Sequence, residues 1–300
     1  MTESDNGLAP PAPNSGGAGK IGEPFAFSES GTPRIGGGGG QTVVGCVPYL
    51  NARPLMRWFT DTEEGRASGV RIVEAVPSEL AQMLARGDVS AALVSSFELF
   101  RRPGLTFAPG IGVVADGPVL SVRLLSRVPV EKIASVALDT SSLTSVALLK
   151  VLLAERGIAP AYRHAAPDLD AMLAGSDAAL LIGDTGYREY DPALHVLDLG
   201  AAWKDMTGLP FVYALWIGTP ANLTPCSADA LTQAREWGTR HLNKIARAEC
   251  GPLNETYERT RAYLVNVMRY HVGEREEQAL RLFGDLARKH GLLEPAEAAS

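Results

Sequence analysis

The sequence predicts an α/β fold, large enough for two domains or one two-lobed unit. Three observations carry this reading. From residue 41 onward, short apolar runs alternate with segments of 3.6-residue apolar period, the pattern of strands interleaved with helices. The chain has 300 residues, 46% of them hydrophobic and 21% charged, which is ample for a large core. It closes with three amphipathic segments, 227–248, 255–270 and 274–290, which read as consecutive helices packed on one lobe.

Taken in order, residues 1–40 stand apart. They hold eleven glycines and five prolines with almost no aliphatic periodicity, a composition that predicts a disordered extension. The glycine run 36–40 has no strand before it and no Lys-Ser/Thr after it, so it reads as a linker rather than a phosphate loop. Val43-Val44-Gly45-Cys46 has the look of a lipoprotein cleavage box, but no apolar export segment precedes it. Strands are then expected at 42–47, 70–75, 91–94, 112–114, 120–125, 135–138, 178–182, 194–198 and 212–217, with helices at 77–86, 144–156 and 168–174. Several of these strands are rich in Val, Ile and Leu, as parallel strands covered on both faces are. Thr207-Gly208-Leu209-Pro210 reads as a tight turn feeding a central strand, with Trp203, Phe211, Tyr213 and Trp216 as core aromatics around it.

Charge and cysteine content narrow the function classes. Net charge is −6 with no basic stripe, which sets nucleic acid aside as a partner. No apolar stretch approaches the roughly 18 to 20 residues of a membrane span, so no membrane association is expected. Cys46, Cys226 and Cys250 lie far apart and form no Cys-x-x-Cys, which argues against a disulfide framework or zinc site and fits a reducing cytoplasm. The five histidines show no spacing that would make a metal site or a paired base, and none is nominated.

Polar groups gather where the expected strands end. VPYLNARPL follows the first strand and places Tyr49, Asn51 and Arg53 between two prolines. LVSSFELF puts Ser95 and Ser96 after the third strand, and VALDTSSLTSVALLKVLL sets Asp139, Ser141, Ser142, Thr144 and Ser145 ahead of an apolar helix. Gly183 and Asp184 follow another strand in ALLIGDTGYREY. Open α/β sheets bind ligands at such strand ends, where helix N-termini offer free N–H groups to anions. The same residues are also ordinary helix caps and turn formers, and spacing alone leaves both readings open for Ser141–Thr144 and for Asp184.

Together these motifs make a resemblance. VPYLNARPL, LVSSFELF, GPVLSVRLLS, VALDTSSLTSVALLKVLL, AALLIGDTG, DLGAAWKDMTGLPFVYALW and YLVNVMRYHVGEREEQALRLF occur in the order seen in the menaquinone-biosynthesis family of the futalosine pathway. The resemblance spans about 42–293 and is nearest to the branch that dehydrates chorismate. It implies a periplasmic-binding-protein-like fold of two α/β lobes closing on a ligand, with C-terminal helices on lobe 1. Crossovers are then expected near 117–123 and 211–216, so that 41–117 and 212–300 form lobe 1 and 118–211 lobe 2.

The implied reaction is loss of water from chorismate to give 3-[(1-carboxyvinyl)oxy]benzoate, a hydro-lyase step that aromatisation drives and that calls for no cofactor or metal. The resemblance gives Asn51 a contact near the leaving hydroxyl and Ser121 one near the reacting carbons. Tyr49, Ser95, Ser96, Ser142, Thr144, Ser145 and Asp184 are the expected substrate-binding residues. Arg53 reads as a salt-bridging residue of the lobe surface. For the base, the substrate's own enolpyruvyl carboxylate is preferred to Asp184, because a second carboxylate beside a dianion is repelled unless protonated. Gly183 to Tyr187 departs from the small apolar residues more usual in the family. The sister branch, which makes 1,4-dihydroxy-6-naphthoate, opens on Ser-Pro-Cys-Pro-Asn-Asp and uses a histidine, and VPYLNARPL has neither. A non-catalytic binding protein for a small carboxylate is the alternative from another class, since a binding cleft uses the same residue types.

Overall fold

The computed structural model describes residues 42–223 and 225–293, all within one compact unit. The expected extension, 1–40, lies outside the described residues. In chain order the strands are β1 (Thr42–Cys46), β2 (Val70–Glu74), β3 (Ala91–Ser95), β4 (Thr106–Ala115), β5 (Val122–Ser126), β6 (Ser135–Asp139), β7 (Ala161–Ala165), β8 (Ala178–Ile182), β9 (His195–Asp198), β10 (Phe211–Gly218) and β11 (Met268–Arg269). They form two sheets, β11-β4-β10-β3-β1-β2 and β7-β6-β8-β5-β9, one in each lobe.

The parallel pairing expected from Val/Ile/Leu-rich strands holds where helices cross over. Strand β1 pairs parallel with β2 and β3, and β6 pairs parallel with β7 and β8. It fails at β4, β5, β9 and β10, which pair antiparallel. These are the strands on either side of the two passages between sheets, 116–121 and 199–210. Strand β7 escaped the sequence reading because AYRHA is an exposed edge with no apolar run. The helix Leu199–Thr207 escaped because its residues merged with the following aromatic strand. Its Asp198 cap and its left-handed Gly208 terminus are standard start and stop devices.

The C-terminal helices also differ from the expected three. Segment 227–248 is two helices, Pro225–Arg240 and Leu242–Glu249, and 255–270 divides into the helix Tyr257–Ala262, a π-helical turn Tyr263–Val267 and β11. The helix Glu274–Lys289 anchors on sheet one through Phe283, whose ring lies 5.0 Å from Phe211 and 5.8 Å from Phe97. It also reaches the other lobe, where Lys289 and His290 both bind Glu155 at 2.6 Å. Trp203 and Trp216 are fully buried, as core aromatics should be.

Candidate active site between the lobes

The stretch that follows β1 shows how this chain builds a site. Pro48 ends the strand, and Leu50–Leu55 winds into a 3₁₀ turn whose Leu50, Ala52, Pro54 and Leu55 are buried. Asn51 is thereby left facing the space between the sheets. Arg53 turns the other way: it pairs with Glu74 at 2.9 Å and Glu249 at 3.3 Å and donates to the Pro48 carbonyl at 3.3 Å. It therefore braces the loop, as its salt-bridge reading expected.

A cavity lies between the two sheets. Lobe 1 contributes Tyr49, Asn51, Ser95 and Tyr213, and the first passage contributes Ser121. Ser141, Ser142 and Ser145 come from the start of the helix Leu143–Glu155. The rest of the lining is apolar, from Val47, Leu93, Val113, Val119 and Ile182 among others. No acidic, basic or imidazole side chain lines it among the described residues. Water-sized molecules have about 60 Å³ here. A wider groove of about 690 Å³ runs along lobe 2 past Arg127, Asp168 and Tyr190. Several of its polar groups are already used: Arg127 donates to Leu173 O, Tyr190 to Thr185 O, and Asp168 caps a helix. The smaller cavity is the better site, because polar groups converge there on enclosed apolar walls.

A buried phenol backs the cavity floor. The Tyr263 hydroxyl donates to Ser121 Oγ at 2.8 Å. Tyr263 is wholly buried, and burial pushes its phenol far above the usual range, while the nearby Asn51 side chain lowers its pKa somewhat. Its ring packs 4.7 Å from that of Tyr187, whose hydroxyl donates to Arg259 O at 2.9 Å. Gly186 lies so close to the passage that a Cβ there would stand 2.1 Å from Ser121 O. Gly183 adopts φ +65° under the Tyr49 ring. Gly186 and Tyr187 thus let the short helix 183–187 press on Ser121 and support Tyr263.

A second polar cluster joins the lobes. Thr144 of lobe 2 bonds through its hydroxyl to Ser95 and, at 3.3 Å, to Ser96, and accepts the Phe97 N–H at 3.2 Å. The Thr144 N–H donates to Ser95 Oγ at 2.8 Å, and Ser96 Oγ donates to Val212 O at 2.7 Å. Ser142 caps its helix by accepting the Ser145 N–H, and Asp139 accepts the Ser141 N–H at 2.9 Å.

Of the nine nominated residues, Tyr49, Asn51, Ser95, Ser121, Ser142 and Ser145 line the cavity. Ser96 and Thr144 do not, since their hydroxyls are committed to the contact between lobes. Asp184 does not either: it borders an outer crevice with Leu50, Tyr187 and Arg188. Burial raises its pKa, opposed by the Leu50 N–H and Arg53. Tyr213 and Tyr263 were missed. Tyr213 is a buried phenol in the lining with no hydrogen-bond partner, a state that in native proteins calls for an explanation. Both tyrosines sit in strongly apolar segments, and a periodicity reading assigns such aromatics to the core.

Residues 42–289 match the family described as menaquinone biosynthesis. The chain belongs to the menaquinone-biosynthesis family. Every residue of the cavity lies within the matched span. A chorismate dehydratase of Thermus thermophilus is 35% identical over 262 residues, covering 81% of this chain and 94% of the relative. A chorismate dehydratase of Campylobacter jejuni is 32% identical over 176 residues, covering 57% of this chain and 65% of the relative. Among solved structures, a protein of Archaeoglobus fulgidus superposes with a TM-score of 0.66 at 16% identity, covering 83% of this chain and 97% of that one. The periplasmic aliphatic sulphonate binding protein SsuA of Escherichia coli gives 0.58 at 16% identity, with 85% and 88% covered. The family member therefore has the periplasmic-binding-protein-like fold that its motifs implied.

Proposed function

We propose that this protein removes water from chorismate to form 3-[(1-carboxyvinyl)oxy]benzoate, a hydro-lyase reaction of menaquinone biosynthesis. Two relatives that share its family carry that activity in their names. The observation that supports it most directly is the character of the lining: hydroxyls, one amide and a helix start, with no carboxylate or imidazole among the described residues. The reaction breaks a C–H bond at the ring carbon bearing the enolpyruvyl ether and the C–O bond of the neighbouring hydroxyl. The ring gains the third double bond of a benzoate, and proton and hydroxide leave as water. A lining without a base suits a substrate that carries its own, and the enolpyruvyl carboxylate is within the same molecule.

Neutral donors hold the dianion. Ser142 and Ser145 at the helix start, with the partial positive charge of its first turn, receive one carboxylate. Asn51 hydrogen-bonds near the departing hydroxyl, Ser121 lies beside the reacting carbons, and the unpaired Tyr213 hydroxyl donates to a substrate oxygen. Apolar walls exclude water and competing rearrangements. The cavity leaves about 60 Å³ to water-sized molecules, and parting of the lobes admits a ring with two carboxylates. We take the two lobes of the sequence reading, 41–117 with 212–300 and 118–211, as the parts that move. They turn about the passages, where Gly117, Leu120 and Gly208 hold positive φ.

Incubation of purified protein with chorismate, without added cofactor and followed by liquid chromatography and mass detection, tests this. The expected product is lighter by one water, with the ultraviolet spectrum of a substituted benzoate. Chorismate bound but unchanged would leave a binding protein. Neither binding nor turnover would direct attention to the sister branch's substrate.

A further inference from the structure

We infer that Tyr263, which stands behind Ser121 and Asn51, is a positioning residue that aims the Ser121 hydroxyl proton into the cavity. This rests on the dehydratase reading and deepens it. Tyr263 does not line the cavity; it stands behind both groups, in the one π-helical turn among the described residues. Such turns shift a helix face by one residue and concentrate at functional sites. Here the turn delivers a phenol between two side chains more than 140 positions away and more than 200 away in sequence.

The direction of the bond follows from proton counting. A phenol has one proton, and that of Tyr263 goes to Ser121 Oγ at 2.8 Å. Ser121 Oγ, already accepting, keeps its own proton for a partner elsewhere, and its open side is the cavity. A serine hydroxyl otherwise rotates freely among staggered positions, and a fixed rotor is pre-organised for the reacting atoms. Burial keeps the phenol protonated through the neutral range, so the donor role holds at working pH. Tyr187 packs on the ring from below.

The test is a double-mutant cycle of Tyr263→Phe and Ser121→Ala, measured with chorismate. Tyr263→Phe retains the ring, its contact with Tyr187 and the π turn, and its melting temperature should lie close to that of the parent. Its kcat should fall on the order of tenfold to thirtyfold, the effect of one or two hydrogen bonds, with KM changed less than about threefold. In the Ser121→Ala background the same substitution should lower kcat by less than about twofold further, because nothing remains to be aimed. Losses that multiply in the double variant, or a change confined to KM, would overturn the proposal. The Asn51 side-chain amide resonances in NMR supply a readout free of turnover: their shift should change in Tyr263→Phe, which removes the phenol oxygen beside them. If those resonances change as expected while the parent protein leaves chorismate intact, the dehydratase reading falls, and with it the catalytic role. If the parent turns chorismate over and Tyr263→Phe does so unimpaired, only the role of Tyr263 falls.

Discussion

Two clusters of buried hydroxyls stand within the same cleft and do different work. Ser95, Ser96 and Thr144 join the lobes and spend their donors and acceptors on one another and on backbone groups. Tyr263 and Ser121 are bonded as firmly, yet Ser121 stands with Asn51 beside a void and leaves donors to face it. The hydroxyls of both clusters are buried. A polar cluster becomes a site when its hydrogen-bonding capacity is left over next to space for a ligand; when that capacity is satisfied internally, it is a joint.

The largest expected effect probes the unsatisfied cluster. Asn51→Ala should lower kcat with chorismate at least about a hundredfold, the scale of losing an oriented polar group that acts in the transition state, while the melting temperature stays near that of the parent. Activity equal to the parent would move Asn51 out of the site. Thr144→Val strikes the satisfied cluster and should do the reverse. It strands the Phe97 N–H and takes the hydroxyl partner from Ser95 and Ser96, and denaturant unfolding should show a loss of about 1 to 3 kcal/mol. The rate at saturating chorismate should remain within a few-fold, and a kcat collapse with intact stability would merge the two clusters into one.

Smaller effects sharpen the boundary between them. Tyr213→Phe removes a hydroxyl that has no partner within the protein, so stability should be unchanged or slightly improved. KM for chorismate should rise about tenfold, the worth of one hydrogen bond to an anion. Ser142→Ala removes a helix cap, and calorimetry should register a loss of about 1 kcal/mol together with a few-fold higher KM. Asp184→Asn is the mildest. Burial raises the Asp184 pKa in the folded protein, so its contribution is fully present below the unfolded pKa and is lost as pH rises through the folded one. The asparagine variant should therefore melt above the parent near pH 8, with the gain shrinking toward pH 4, and retain its kcat. Loss of turnover in that variant would bring Asp184 back as the base.

Much of the fold was legible because it rests on local pattern. Pro77–Arg86 begins with proline and ends on a left-handed Gly87, and its bounds match the expected helix. Strand β8 was equally plain, as AALLI is buried at every position. The site was legible only as a set of motifs. In Leu143-Thr144-Ser145, neighbours on one helix turn by about 100° each, so Thr144 enters the joint between lobes while Ser145 reaches the cavity. No spacing rule shows that division, because it depends on where β3 of the other lobe lies. Tyr263 is a sharper case: a π turn interrupts a segment whose apolar period reads as continuous helix.

By itself, then, the sequence determined the α/β class, most strands and helices, the strand-end loops that carry polar groups and the family to which they belong. These follow from side-chain periodicity, caps and turn chemistry, which act over a few residues. Only the tertiary structure decided which hydroxyls stay free. That depends on the meeting of residues 51, 121 and 263, and of 95 with 144, across two lobes, and a hydrogen bond is satisfied or left open by whatever the fold brings within about 3 Å of it.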